Sequence, residues 1–144
     1  MKITGISSYP VWAGHRNFLF VAVDTDEGLY GVGESGVTGR ELAVMGALKH
    51  LTPLLLGQDP MRIEHIWQTM SRGGFFPHDR ILGSAIAAID IALWDIKGKA
   101  LGLPVYDLFG GRVRDKVACY CHLSGGHGTD TTELVRDARA RVAE

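Results

Sequence analysis

Apolar and polar residues alternate loosely over residues 2–11, and again through NFLFVAVDT (17–25) and LYGVGES (29–35). That period of two marks half-buried strands. Asp26-Glu27-Gly28 separates the last two segments, and its Gly permits a hairpin turn. The pattern predicts a three-stranded antiparallel meander. From Arg40 the period lengthens: Leu42, Met45, Leu48 and Leu51 recur every three residues, until Pro53 disturbs the run and LLLG closes it. A second helix is predicted from Asp59-Pro60, an N-cap acid followed by Pro at the first helical position, with Ile63, Ile66, Trp67 and Met70 as its buried stripe. A breaker- and aromatic-rich loop over 72–78 leads to a third helix, residues 79–100. Leu82, Ile86, Ile89, Leu93 and Ile96 line one face of that helix, Asp95 and Lys99 form a favourable i,i+4 pair, and Gly102 and Pro104 end it.

After VYDLFGG and a charged link at 112–116 the character changes. Residues 117–122 read as an apolar strand that needs a neighbour on each face. Residues 131–144 read as a capped helix with Leu134, Val135, Ala138 and Val142 on one stripe. A buried parallel strand needs crossover units to cover it. The expected organisation is therefore an α+β domain over 1–111, a sheet followed by helices, and over 112–144 the first β-loop-α unit of an α/β sheet or barrel.

Composition narrows the classes. At 46% apolar and 22% charged with a net charge of −1, the chain is ordinary globular material; it has no charged tail or patch suited to nucleic acid or lipid headgroups. MKITGISSYPVW lacks the apolar core of a secretory signal. ILGSAIAAIDIALWDI carries Asp90 and Asp95 and is too short and too acidic to span a bilayer. Cys119 and Cys121 alternate along their strand, which suits no simple disulfide, and two cysteines are too few for a structural zinc site. Reduced packing thiols and a cytoplasmic location are expected.

Three features invite chemistry. Gly31-Val32-Gly33-Glu34-Ser35-Gly36 matches the dinucleotide fingerprint G-x-G-x-x-G. That reading is outweighed: the preceding strand is committed to a hairpin, TPLLLG is short and opens on Pro, and no βαβ series follows. Asp90, on an otherwise apolar face, suggests a metal or acid/base role, against the commoner expectation of pairing with a base or backbone group. Trp94, one turn on, is expected in the core. Among the histidines, His50 and His65 read as helix surface or packing residues, while His15 and His78 sit in loops where a ligand could be met. His122 stands at the carboxyl end of the 117–122 strand, where α/β sheets and barrels bind ligands, although a His that merely caps a strand is an equal reading.

AIAAIDIALWDIKGKALGLPVYDLFGG, Ala85 to Gly111, closely resembles the signature of the mandelate racemase/muconate lactonizing group of the enolase superfamily, with Ala85, Ala88, Ile89, Asp90, Ala92, Asp95, Gly98, Lys99, Pro104, Leu108 and Gly110 at its positions. The MKIT start, TDEG hairpin, GxGE strand, GQDP helix and GGRVRDK link resemble the same group, so the resemblance covers essentially all 144 residues. Within the group, TMSRGGFFPHDRILGSAIAAIDIALWDIKGKALG is most similar to acid-sugar dehydratases of the galactonate type. Residues 117–125 also resemble the mannonate dehydratases, which carry a substrate-contacting His at the position of His122. Where those enzymes place Asn before Gly-Arg-Glu, this chain has Thr38.

The resemblance implies an α+β capping domain at 1–111 and the start of a (β/α)7β barrel at 112–144. It also implies proton abstraction beside a carboxylate, then loss of the β-hydroxyl, with Mg²⁺ stabilising the enediolate. The metal ligands and the catalytic bases would belong to later barrel strands, so no catalytic or metal-binding residue is assigned within these residues. What the resemblance places here is the substrate lid: Trp12, His15 and Arg16 after the first strand, Glu34 and Thr38 after the third, Phe76 and His78 in the aromatic loop, and His122 at the strand end. The implied partners are a small sugar acid, the remaining barrel in the same or another chain, and further copies in a homo-oligomer; no nucleic acid or membrane is expected. A racemase or cycloisomerase of the same superfamily, or a non-catalytic binding or assembly module, are the alternatives.

Overall fold

The computed structural model describes residues 1–120 and 130–142. The chain divides into two compact units, Met1–Gly111 and Arg112–Glu144.

The first unit opens with β1 (Ile3–Trp12), β2 (Asn17–Thr25) and β3 (Tyr30–Ser35), an antiparallel sheet in the order β1-β2-β3. Gly28 takes φ +80° in the β2–β3 turn, the left-handed conformation for which Gly has no steric cost. Alternation assigns the faces: Leu19, Val21 and Val23 are buried, while Phe18, Phe20, Ala22 and Asp24 lie on the outer side.

Three helices cover the inner face. α1 (Glu41–Leu55) buries Val44, Leu48, Leu51 and Leu55 and accommodates Pro53 in its last turn. α2 spans Ile63–Arg72, later than the Asp59-Pro60 start that the sequence suggests. Asp59 Oδ1 instead accepts the Met61 N–H at 2.9 Å, closing a tight turn two residues on rather than capping a helix. α3 (Arg80–Leu101) follows its prediction closely: Asp79 Oδ1 accepts the Leu82 N–H at 2.9 Å, and Gly102 caps the other end at φ +67°. A one-turn helix, α4 (Val105–Leu108), follows.

α3 is the centre of the core, with Ala85, Ile86, Ala88, Ile89, Ala92, Leu93 and Ile96 all at most 2% exposed. It runs antiparallel to β3 at very close range. A Cβ on Gly33 would collide with the Ala88 carbonyl, and one on Gly31 with the Ala92 carbonyl. The first two of the three glycines of the apparent dinucleotide fingerprint thus exist to let a helix backbone lie on a strand.

The second unit contains α5 (Thr131–Val142), whose Leu134 and Ala138 are half-buried. Residues 117–120 have no strand pairing; none of the described residues offers them a strand partner. The rest of the expected 117–122 strand lies outside the described residues. Cys119 is exposed rather than packed, and no described helix is long and apolar enough to cross a membrane.

Candidate functional site

The sheet register brings three loops to one end of the first unit. Trp12 faces Asn17 across the β1–β2 hairpin, and Leu19 faces Ser35 at the end of β3, so the 13–16 turn and the segment leaving β3 emerge together. Ser35 Oγ lies 2.7 Å from Ser84 Oγ. That contact sets the first turns of α3, and the 73–79 segment before them, at the same end.

The hairpin tip is the most organised of the three. The Ala13 N–H donates to Arg16 O at 2.9 Å, and Gly14 at φ +87° closes the turn. His15 Nδ1 lies 3.2 Å from Ala13 O. The Arg16 guanidinium carbon sits 4.3 Å from the centre of the Phe18 ring, a cation–π contact. Phe18 stacks on Phe20 at 6.1 Å and 14°, and His15 meets Phe18 edge-on at 6.5 Å. Trp12 is 64% exposed at the end of β1. Sequence reasoning singled out Arg16 but not Phe18 or Phe20. The signal was the two-residue spacing, which puts both rings on the outer face of one strand.

Glu34 is exposed on that same outer face, directly opposite Phe20. Thr38 is exposed beyond β3, where its N–H donates to Gly36 O at 3.2 Å. Phe76 is 80% exposed and meets the even more exposed Phe75 edge to face at 5.3 Å. His78 has a structural tie as well: its Nδ1 lies 3.1 Å from Ser71 Oγ, and its ring packs beside Gly83, so it links the ends of α2 and α3. His122 lies outside the described residues.

Asp90 stands apart from this rim. It lines a groove of about 670 Å³ between α2 and α3, toward the other end of α3, together with Arg62, Glu64, Trp67, Trp94 and Lys97. Among the described residues no base or backbone amide pairs with it. Burial and the nearby Glu64 carboxylate raise its pKa, against a hydrogen bond from the Trp94 side chain. Trp94 is half-buried, its ring centre 4.5 Å from that of Phe109 at a tilt of 46° and Lys97 Nζ 5.2 Å over its ring, rather than enclosed in the core. Among the described residues, no three His, Cys, Asp or Glu side chains come together to hold a metal ion.

Residues 12–110 match the family model "Mandelate racemase / muconate lactonizing enzyme, N-terminal domain". The chain belongs to that family. The chain is 47% identical, over 94% of its length, to a D-galactonate dehydratase of Verminephrobacter eiseniae, and 45% identical over the same share to a D-mannonate dehydratase of Novosphingobium aromaticivorans. The chain spans 35% and 34% of those proteins, about a third of their length. Among solved structures, an enolase from Pantoea ananatis with bound D-gluconate and Mg superimposes with a TM-score of 0.90 at 41% identity, over 99% of this chain and 34% of that one. The α+β arrangement of Met1–Gly111 is the capping domain of enolase-superfamily enzymes.

Proposed function

We propose that this chain is the N-terminal part of an acid-sugar dehydratase: an enzyme that abstracts the proton beside a carboxylate and expels the hydroxyl from the next carbon. The observation that carries the reading is the 47% identity, along 94% of the chain, to a protein named D-galactonate dehydratase. In this reading residues 1–111 are the cap and 112–144 begin the barrel. The rim of Trp12, His15, Arg16, Glu34, Thr38 and Phe76 closes over the sugar acid, selects it and excludes water. His78 holds that rim's aromatic loop in place, and His122 meets substrate from the barrel side.

The described residues do not fit a metal, so the Mg²⁺ of this reading, like the catalytic bases, would be held elsewhere in the protein. The partners of the reading are a sugar acid, the remaining barrel and further copies of the chain.

The test is to screen the chain joined to its barrel against sugar acids with Mg²⁺ and to look for a 2-keto-3-deoxy acid. Formation of that product supports the reading. An epimer of the same mass replaces it with a racemase, and a lactone with a cycloisomerase. Met1–Gly111 has its own core, which leaves a non-catalytic binding module as the reading if no sugar acid is turned over.

A further inference from the structure

We infer that Arg16, held in place by Phe18, selects sugar acids that carry a second anionic group at the end remote from the reacting carboxylate. This rests on the lid reading above and adds to it a substrate class and a positioning residue.

Among the described residues the Arg16 side chain makes no hydrogen bond and no ion pair; its guanidinium lies over the Phe18 ring at 4.3 Å. Five N–H donors of the cationic guanidinium are therefore left for a ligand. The nearest acid of the outer face, Glu34, stands opposite Phe20 rather than beside Phe18 and forms no ion pair with it.

The guanidinium is also restrained. Phe18 stacks on Phe20, and the Ala13–Arg16 backbone bond fixes the turn from which the side chain leaves. A long side chain already ordered on a ring gives up less conformational freedom on binding. His15, edge-on to the same ring, puts a further nitrogen at the tip.

In the proposed reaction the carboxylate beside the abstracted proton is engaged by the catalytic half, so a lid residue meets the remote end of the molecule. A neutral hydroxymethyl end offers a planar guanidinium one ordinary hydrogen bond. A carboxylate or phosphate end takes two parallel charge-assisted bonds. The chemistry recognised is thus an oxyanion, which either a sugar diacid or a phosphorylated sugar acid supplies.

The experiment measures kcat and KM of the chain joined to its barrel for D-gluconate, galactarate and a 6-phosphorylated aldonate. It compares wild type, Arg16→Gln, Phe18→Leu and Phe18→Tyr. Dianions are expected to be preferred about tenfold or more in kcat/KM. Arg16→Gln should abolish that preference through KM with kcat little changed; Phe18→Leu should reduce it, and Phe18→Tyr, which keeps the ring, should retain it. The better of the two dianions identifies the natural source of the oxyanion.

A wild-type preference for the monoacid, or a dianion preference that survives Arg16→Gln, overturns the inference and leaves the dehydratase reading standing. If Arg16→Gln removes the preference but Phe18→Leu does not, the positioning role of Phe18 is wrong. If no compound is dehydrated, the dehydratase reading fails. Calorimetric affinities of galactarate and gluconate for wild type and Arg16→Gln then decide the inference on the same criterion.

Discussion

Gly33 on β3 lies directly beneath the carbonyl of Ala88 on α3, so close that even a methyl group on Gly33 would collide with the helix backbone. Gly31 stands in the same relation to Ala92 one turn further on. The obstacle is backbone, not the flexible end of a side chain, and cannot swing aside. Gly33→Ala is expected to destabilise the first unit by about 1–3 kcal/mol through overpacking. Gly36→Ala, where an added Cβ meets nothing, should be close to neutral. Urea unfolding of the two variants checks this. Titration with NAD should give no saturable signal, because Gly31 and Gly33 of the fingerprint face a helix and not a pyrophosphate.

Asp95 and Lys99 complete the open edge of the sheet. Asp95 Oδ2 accepts the Val32 N–H at 2.9 Å, Lys99 Nζ donates to Tyr30 O at 2.7 Å, and the two side chains are themselves 2.7 Å apart. An i,i+4 pair on a helix thus supplies the acceptor and the donor that a fourth strand would have supplied. Asp95→Ala should cost about 1–2 kcal/mol, the low end for a charge-assisted bond because the site is partly solvated. Asp95→Asn, whose amide oxygen still accepts from Val32, should cost less. Equilibrium denaturation of both variants reads the difference.

Asp90 gives a pH dependence with a definite sign. Its folded-state pKa is raised, first by burial and then by Glu64. The folded state therefore binds the proton more tightly than the unfolded chain does. The stability this group contributes is fully present below its ordinary value of 3.8 and is lost as pH rises through the folded-state value. Asp90→Asn, still able to accept from the Trp94 side chain, should stabilise the unit at neutral pH and give no gain below about pH 3.8. Melting temperatures of wild type and variant across that range test the sign.

The cap of α3 is a local feature with a local cost. Asp79→Ala removes the acceptor of the Leu82 N–H and should lower stability by about 1 kcal/mol, whereas Asp79→Asn or Asp79→Ser should retain most of it. Chemical denaturation of the three variants separates the cap from general surface effects.

These particulars show which parts of the fold were legible in advance. The meander, the Gly28 turn and both ends of α3 follow from short-range rules, since alternation, a left-handed Gly and an N-cap acid act within a few residues. The start of α2 does not, because Asp59 has two local options, and the tight turn to Met61 prevails over a helix cap. The meaning of Gly31 and Gly33 depends on Ala92 and Ala88, far along the chain, and no local pattern reveals it. The rim residues were nameable by resemblance. Their gathering at one end rests on register and on the Ser35–Ser84 contact, and the support of Arg16 by Phe18 on strand alternation just past a turn. Residues 117–120 look like a strand by composition, yet pairing is a property of two strands, and none of the described residues pairs with them.

The most direct test of the dehydratase reading is a proton NMR time course of the chain joined to its barrel with galactonate and Mg²⁺ in deuterium oxide. Abstraction at C2 followed by loss of the C3 hydroxyl predicts a 2-keto-3-deoxy product with solvent deuterium at C3. Galactonate or its epimer recovered with deuterium at C2 and every hydroxyl in place would contradict it.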